Sequence, residues 1–185
     1  MEELTTGEPE ETVVENARRK ARAVAEGSGG EATVLAADTD VVLDGRLLGK
    51  AGDEEGARER LEALSGRTHE VLTGVVLIDA HGSAKGAFVR PDLTNAPLNA
   101  EGSPSVPETR LDERSGVARS QVTFRELSEP LIRGYLASGE WRDRAGAYAV
   151  QGLGSSLVER VEGDLSNVIG LPVNLLLGLS PELLD

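Results

Sequence analysis

The sequence predicts a single α/β domain over residues 1–185, in which a mixed, twisted β-sheet is covered by helices. The main observation is that segments with helical periodicity alternate along the chain with short apolar runs typical of strands. A hydrophobic content of 39% is also sufficient for one sizeable core. The predicted order of elements is helix, strand, hairpin, helix, strand, insertion, strand, helix, strand and helix.

The predicted helices are recognised from their periodicity and their ends. Residues 11–26 repeat Val and Ala at helical spacing, and Gly27 is placed to end this first helix. Asp53 and Ser128 are suited to cap the second and third helices, and Gly139 is placed to end the third. A final helix should begin at Pro172, and its nearly all-apolar sequence predicts that it is buried.

Two of the predicted strands flank an unusual segment. A central strand is predicted at 68–79 and another at 117–127. Between them, residues 86–115 contain four of the eight prolines, together with Gly, Asn and Ser. Loops of this length are uncommon unless they are functional or disordered. We interpret the segment as a long insertion that is disordered rather than a lid.

The stretch at 34–50 predicts a strand followed by a β-hairpin. Asp44 and Gly45 readily adopt positive φ, which suits the two-residue loop of a type I′ turn. This register would place Lys50 opposite Thr39 and beside Asp38, so that an ammonium, a hydroxyl and a carboxylate converge where an apolar strand ends. The alternative is a surface hairpin with an exposed ion pair, which typically contributes about 0–1 kcal/mol.

Charge and composition exclude several classes of function. A net charge of −13 disfavours binding to a nucleic-acid polymer or an anionic membrane, because both need basic patches. The absence of cysteine excludes disulfides and thiolate sites, and two histidines are too few for a His-based metal cluster. The sequence contains neither an apolar run long enough to span a membrane nor the features of a signal peptide, so we expect a cytoplasmic protein.

Four segments resemble a known family when they are compared in order. They are ADTDVVLDGRLLGK at 37–50, LSGRTHEVLTGVVLID at 64–79, VTFREL at 122–127, and YLASGEWRDRAGAYAVQGLGSSLVERVEGDLSNVIGLPVNLL at 135–176. Together they are similar to the Maf family of nucleoside triphosphate pyrophosphatases, which is part of the inosine triphosphate pyrophosphatase superfamily. The resemblance implies an elongated sheet, an active-site cleft between two lobes, and a homodimer.

The resemblance also implies a reaction, which is hydrolysis at the α-phosphorus of a nucleoside triphosphate to release pyrophosphate. Asp38 looks like the family's general base, while Lys20 and Lys50 would neutralise the triphosphate. Glu3 and Asp38 would face a divalent cation, Mg²⁺ with Mn²⁺ as the alternative.

Three further residues match positions that would contact the substrate. Thr39 and Gln151 match the positions that select the base, and they resemble the subgroup acting on dTTP and UTP rather than on methylated GTP. A glutamine amide offers the donor and the acceptor that a uracil or thymine edge requires. Arg67, in the SGRTH corner, is a further candidate for a substrate contact.

The sequence departs from the family pattern at its start. Maf proteins begin with a strand and an SxSPRR turn that binds phosphate, and neither is present here. We therefore expect the first strand of the sheet to be missing and the chain as written to be feebly active. The alternative function is a catalytically impaired, Maf-like nucleotide-binding or cell-division regulatory protein.

Overall fold

The computed structural model describes residues 4–27, 33–81 and 110–184. Within these residues the sheet strands are β1 (Thr33–Leu43), β2 (Arg46–Leu47), β3 (Thr68–His81), β4 (Arg110–Phe124) and β5 (Val158–Glu162). The helices are α1 (Pro9–Gly27), α2 (Glu54–Leu64), α3 (Glu129–Ser138), α4 (Leu165–Ile169) and α5 (Val173–Leu179). The predicted α/β class is confirmed, and the short helix α4 was not predicted.

The five strands form one open sheet in the order β2-β1-β3-β4-β5. Every pairing among these described strands is antiparallel, whereas we expected a mixed sheet. A parallel pair would need a crossover that carries the chain along the full length of a strand. Helix α2 instead returns the chain to the end of β1 that it left, where Val42 pairs with Glu70 of β3.

The predicted hairpin turn is confirmed. Asp44 and Gly45 both have positive φ, 51° and 75°, as a type I′ turn requires. The strand pairs next to the turn are Val42–Leu47 and Leu43–Arg46, in the predicted register.

The predicted pairing of Lys50 with Thr39 is wrong. The Gly49 amide donates to the Asp40 side chain at 3.0 Å, and Lys50 forms its β-bridge with Ala145. These contacts end β2 after two residues and turn the chain away from β1 before Lys50 can pair with Thr39. On its other side, β1 pairs with β3, where Thr39 faces Thr73.

Helices cover both faces of the sheet. On one face α1 packs against β1 and β3 and buries Val13, Ala17 and Ala21 completely. On the other face the largest hydrophobic core joins α2 and α3 to the strands, and it includes Leu61, Leu64, Val122, Phe124, Tyr135 and Leu136. The predicted cap at Asp53 is present, since its carboxylate accepts from the Gly56 amide at 2.8 Å. Ser128 is the N-cap residue of α3 but makes no side-chain capping hydrogen bond, and Gly139 ends that helix with φ 74°.

Helix α5 departs from the prediction that it is buried. None of its residues is fully buried, and Val173 is 45% exposed. The helix packs one side on β4 and β3, where Leu175 lies against Gly116. The apolar sequence alone therefore overestimated the burial of this helix.

The predicted insertion at 86–115 ends earlier than expected, because its last six residues belong to a strand. Residues 110–115 belong to β4, where Arg110 pairs with His81 and Asp112 with Asp79. These strand residues are largely charged and lack apolar alternation, so the sequence pattern did not reveal them. The predicted disorder of residues 86–109 falls outside the described residues. None of the described helices is long and apolar enough to cross a membrane.

Candidate active site

A cleft of about 250 Å³ lies between β1, the loop at 143–151 and the end of α4. Five of the seven residues proposed from the sequence line it: Lys20, Asp38, Thr39, Lys50 and Gln151. Small-molecule sites usually have volumes of about 300–1,000 Å³, so this cleft lies slightly below the usual range. The structure thus brings together residues that are far apart in the sequence.

Asp38 is held from one side by two residues of α1. The carboxylate is 9% exposed and accepts from Lys20 Nζ at 2.5 Å and from Asn16 Nδ2 at 3.1 Å. Asn16 and Lys20 are four residues apart, so they lie on the same face of the helix. Each carboxylate oxygen therefore has a hydrogen-bond donor, and the orientation of the group is restricted.

Asn16 was not proposed from the sequence, and it also joins the start of the described chain to the site. Its Oδ1 accepts from the Leu4 amide at 2.8 Å and its Nδ2 donates to the Leu4 carbonyl at 3.0 Å. Asn16 is 4% exposed, so its hydrogen bonds are shielded from water. Its helical sequence context, among Val, Ala and charged residues, held no signal of this role.

The close approach of α1 depends on Gly74, the β3 partner of Asp38. A Cβ atom at Gly74 would lie 2.5 Å from the Val13 carbonyl carbon and 2.6 Å from the Val14 nitrogen. Both atoms belong to the backbone of α1. Only glycine therefore lets the helix lie near enough to β1 for Asn16 and Lys20 to reach Asp38.

Lys50 enters the cleft from the short segment after β2. Arg60 of α2 donates to the Leu48 carbonyl at 2.9 Å and to the Lys50 carbonyl at 3.2 Å. Together with the bridge to Ala145, these bonds fix the backbone of Lys50 while its side chain is exposed. The ammonium can therefore reach a ligand without loss of its backbone position.

Thr39 lines the cleft and is hydrogen-bonded to its neighbour in β3. The hydroxyl oxygens of Thr39 and Thr73 are 2.8 Å apart, and Thr73 donates to the Asn167 carbonyl at 3.2 Å. Thr73 is fully buried. This chain of bonds connects β1 and β3 to α4.

The loop that forms the opposite wall contains two non-glycine residues with positive φ, Asp143 at 58° and Ala147 at 59°. Such backbone conformations cost of order 1–3 kcal/mol and persist only where the surrounding structure enforces them. Ala147 is fully buried in the core, which provides that enforcement.

An aromatic cluster supports the same wall. The rings of His69, Phe124 and Tyr148 pack edge to face, with centroids 4.7–5.4 Å apart. Tyr148 lines the cleft, and its hydroxyl lies 2.7 Å from His69 Nε2. Burial raises the pKa of the Tyr148 phenol and lowers the pKa of His69 to about 4. Both groups are therefore neutral near pH 7.

The buried His69 should make stability depend on pH. Between about pH 6.5 and 4 the unfolded chain binds a proton at His69 that the folded chain does not, so stability falls as the pH falls. The loss at pH 4, relative to pH 7, should be about 3 kcal/mol from this residue. Urea unfolding of wild type and His69→Gln at both pH values should show a smaller loss in the variant. Equal losses would contradict the prediction.

Two of the proposed residues are not placed in the cleft. Arg67 Nη2 lies 2.7 Å from Asp44 Oδ1, and its side chain is directed to the hairpin turn rather than to the cleft lining. Glu3 lies outside the described residues. Within the part of the chain that the structure describes, no group of three or more His, Asp or Glu side chains is arranged to hold a metal ion.

The cleft suits an anionic ligand better than the depression between α1 and β4 does. It contains the cations Lys20, Lys50 and Arg144 and the carboxylates Asp38 and Asp143. A second depression of about 540 Å³, between α1 and β4, is lined by three glutamates and a single arginine. A polyphosphate would be repelled there, despite the larger volume. Arg144 was not proposed from the sequence, although it lies in the EWRDRAGAY segment on which the resemblance depends.

Several known proteins are similar to this chain over most of its length. A dTTP/UTP pyrophosphatase of Thermococcus kodakarensis is 39% identical over 175 residues, which is 95% of this chain and 77% of the relative. Proteins of the same name from Deinococcus radiodurans and Anaeromyxobacter dehalogenans are 40% and 42% identical, over 93% of this chain and 72% and 73% of their own lengths. The family model described as Maf-like protein matches residues 1–182, and the chain belongs to the Maf family.

Proposed function

We propose that this chain is a nucleoside triphosphate pyrophosphatase that hydrolyses dTTP and UTP to the monophosphate and pyrophosphate. The observation that carries the proposal is that Asp38, Lys20, Lys50, Thr39 and Gln151 line one cleft. Relatives that are named dTTP/UTP pyrophosphatase, and that align over most of the chain, support the choice of substrate.

Asp38 is proposed to accept a proton from the attacking water. A general base has to be positioned before it is effective, and the contacts with Asn16 and Lys20 position this carboxylate. Phosphoryl chemistry otherwise requires positioned cations more than covalent participation. Asp38 is the cleft residue whose chemistry and surroundings suit the base.

Lys20, Lys50 and Arg144 are proposed to bind the phosphates. All three line the cleft, although the whole chain carries a net charge of −13. A local group of cations in an acidic protein favours the entry of a small anion over that of a polyanion, because a polymer would contact the acidic surface around the cleft. Arg144 adds the planar donor geometry that suits phosphate oxygens.

Thr39 and Gln151 are proposed to select the base. Gln151 lies on the exposed rim of the cleft, and its amide can both donate to and accept from a uracil or thymine edge. A site built to hydrogen-bond one base rejects an analogue whose pattern is reversed, because its own polar groups are then left unpaired. Cytosine is such an analogue.

A divalent cation, Mg²⁺ or alternatively Mn²⁺, is part of the proposal. The donor set fits a hard cation, since Asp38 offers carboxylate oxygens and such ions are commonly held by one or two carboxylates plus substrate phosphates. The ion would neutralise part of the phosphate charge. Glu3 remains the proposed second carboxylate, and Arg67 a proposed outer contact. We also propose a homodimer, which molar-mass measurement in solution would test.

The test is pyrophosphate release from dTTP, UTP, CTP and GTP with Mg²⁺. We expect kcat/KM for dTTP and UTP to exceed that for CTP and GTP by at least about tenfold, the scale of a single well-placed hydrogen bond. Release of pyrophosphate from none of the four would overturn the proposal, as would equal rates for all of them.

Lys50→Ala should raise KM for UTP by roughly tenfold or more, because a charge-assisted contact with phosphate is lost. Lys50→Arg should restore KM only in part, since the two cations differ in geometry. Steady-state kinetics measure both changes. The matched control is Arg46→Ala, which removes a cation from the same hairpin outside the cleft and should leave KM unchanged. Unchanged kinetics in Lys50→Ala would show that Lys50 does not contact substrate.

A further inference from the structure

We propose that Glu140 is a positioning residue for base selection, which acts by holding the loop that carries Gln151. The inference rests on the proposed function, because it concerns how the same cleft distinguishes one base from another. It adds a residue that contacts neither the substrate nor the reacting atoms.

Glu140 accepts two backbone hydrogen bonds from the residues that follow Gln151. Its Oε1 lies 3.1 Å from the Leu153 nitrogen and its Oε2 lies 3.2 Å from the Gly154 nitrogen. These amides open the short 3₁₀ helix Gly152–Ser156, whose first amides have no partner within the helix. Both oxygens of one carboxylate thus fix the chain on the C-terminal side of Gln151.

The loop is also held on the N-terminal side of Gln151. The Ala149 amide donates to the hydroxyl of Tyr135 at 3.1 Å, and Tyr135 is 2% exposed within the core. The two sides of the loop are in close contact. A Cβ atom at Gly154 would lie only 1.8 Å from the Ala149 carbonyl oxygen, so there is room only for glycine. Gln151 is therefore at the tip of a closed loop with one anchor on each side.

The two anchors differ in what their loss would do. Tyr135 is a core residue, so its removal would disturb packing throughout α3. Glu140 is half-buried and lies in a shallow depression on the loop, with Arg144, Ala149, Gln151 and Gly152, and it does not line the cleft. Its removal leaves Asp38, Lys20 and Lys50 in place, since none of them lies in that depression. The expected defect is therefore in the orientation of Gln151.

A loosely held amide loses selectivity before it loses activity. Gln151 can distinguish uracil from cytosine only if its donor and acceptor point in fixed directions, because a rotated amide presents the reverse pattern. Preorganisation of the loop avoids the entropy that would otherwise be lost when the base binds. We therefore infer that Glu140 affects the ratio of kcat/KM for UTP and CTP more than kcat for UTP.

The experiment compares Glu140→Gln with wild type and with the matched control Glu159→Gln. Glutamine has nearly the same shape as glutamate, but its NH₂ group cannot accept from the second amide. Glu159 is an exposed residue of β5, so this control removes the same charge away from the loop. The UTP to CTP ratio should fall by roughly tenfold in Glu140→Gln and stay unchanged in Glu159→Gln, the scale of a lost charge-assisted hydrogen bond.

A double-mutant cycle identifies the route of the effect. In a Gln151→Ala background, Glu140→Gln should change the ratio no further, since residues that act through one another are not additive. Backbone amide exchange at Leu153 and Gly154, measured without nucleotide, should be at least about tenfold faster in Glu140→Gln. An unchanged ratio, or the same fall in both backgrounds, would overturn the inference.

The outcomes separate this inference from the proposed function. If wild type releases no pyrophosphate, the proposed function fails, and the ratio is then measured as the Kd of UMP against that of CMP. The role of Glu140 stands if that ratio responds to Glu140→Gln, and it fails if it does not. If wild type is active but Glu140→Gln leaves the UTP to CTP ratio unchanged, as Glu159→Gln does, then the inference fails while the proposed function stands.

Discussion

Asp38→Asn should lower kcat for pyrophosphate release from UTP by on the order of 10²–10⁴-fold, the usual contribution of a general base. The substitution is isosteric but removes the proton acceptor. It also places an NH₂ group against Lys20 Nζ or Asn16 Nδ2, both of which are donors to the native carboxylate. Steady-state kinetics and UMP binding should together show lost turnover with nucleotide affinity within a few-fold of wild type.

The matched control for this variant is Asp53→Asn. Asp53 caps α2 outside the cleft, and asparagine caps a helix about as well as aspartate does. The control removes the same charge and should retain full activity. An Asp38→Asn protein that turns over UTP at the wild-type rate would show that Asp38 is not the base.

Gly74→Val should lower both stability and activity, because the side chain would occupy space filled by the backbone of α1. The nearest atoms are the carbonyl of Val13 and the nitrogen of Val14, which no rotamer change can move. Overpacking of a core typically costs about 1–3 kcal/mol, and a clash with backbone belongs at the upper end. For a domain of this size that corresponds to a fall in Tm of roughly 6–12 °C.

The same change should reduce activity beyond its effect on folding. Displacement of α1 moves Lys20 and Asn16 away from Asp38, so kcat/KM should fall by at least about tenfold in protein that is still folded, as expected when a catalytic contact is misplaced. Gly134→Ala is the matched control, since a Cβ atom there meets nothing within 4 Å. It should raise stability slightly, because alanine favours a helix over glycine. A Gly74→Val protein with wild-type Tm would contradict the prediction.

The resemblance identified more of the residues that line the cleft than of the residues that hold them in position. The resemblance identified Asp38, Lys20, Lys50, Thr39 and Gln151, and the structure places all five in one cleft. It did not identify Asn16, Arg144 or Glu140. These residues act through contacts that form only after folding. Asn, Arg and Glu are common in helices and loops, so the residue types gave no indication of the roles. The role of Gly74 could not be predicted either, since a glycine within a strand does not indicate which element packs against it.

The sequence by itself determined the features whose physics lies within a few residues. Examples are the type I′ turn at Asp44 and Gly45, the cap at Asp53 and the end of α3 at Gly139. Local dihedral preferences and capping bonds are sufficient for each of them.

Only the tertiary structure decided where Lys50 pairs, how far α5 is buried, and which donors face Asp38. Lys50 bridges Ala145 rather than Thr39, and Asn16 reaches Asp38 across 22 positions of the sequence. Such contacts depend on how closely separate elements pack. For α1 and the sheet, the close approach is possible because Gly74 has no side chain. Periodicity records which side of an element is apolar, but not which distant backbone will lie against it.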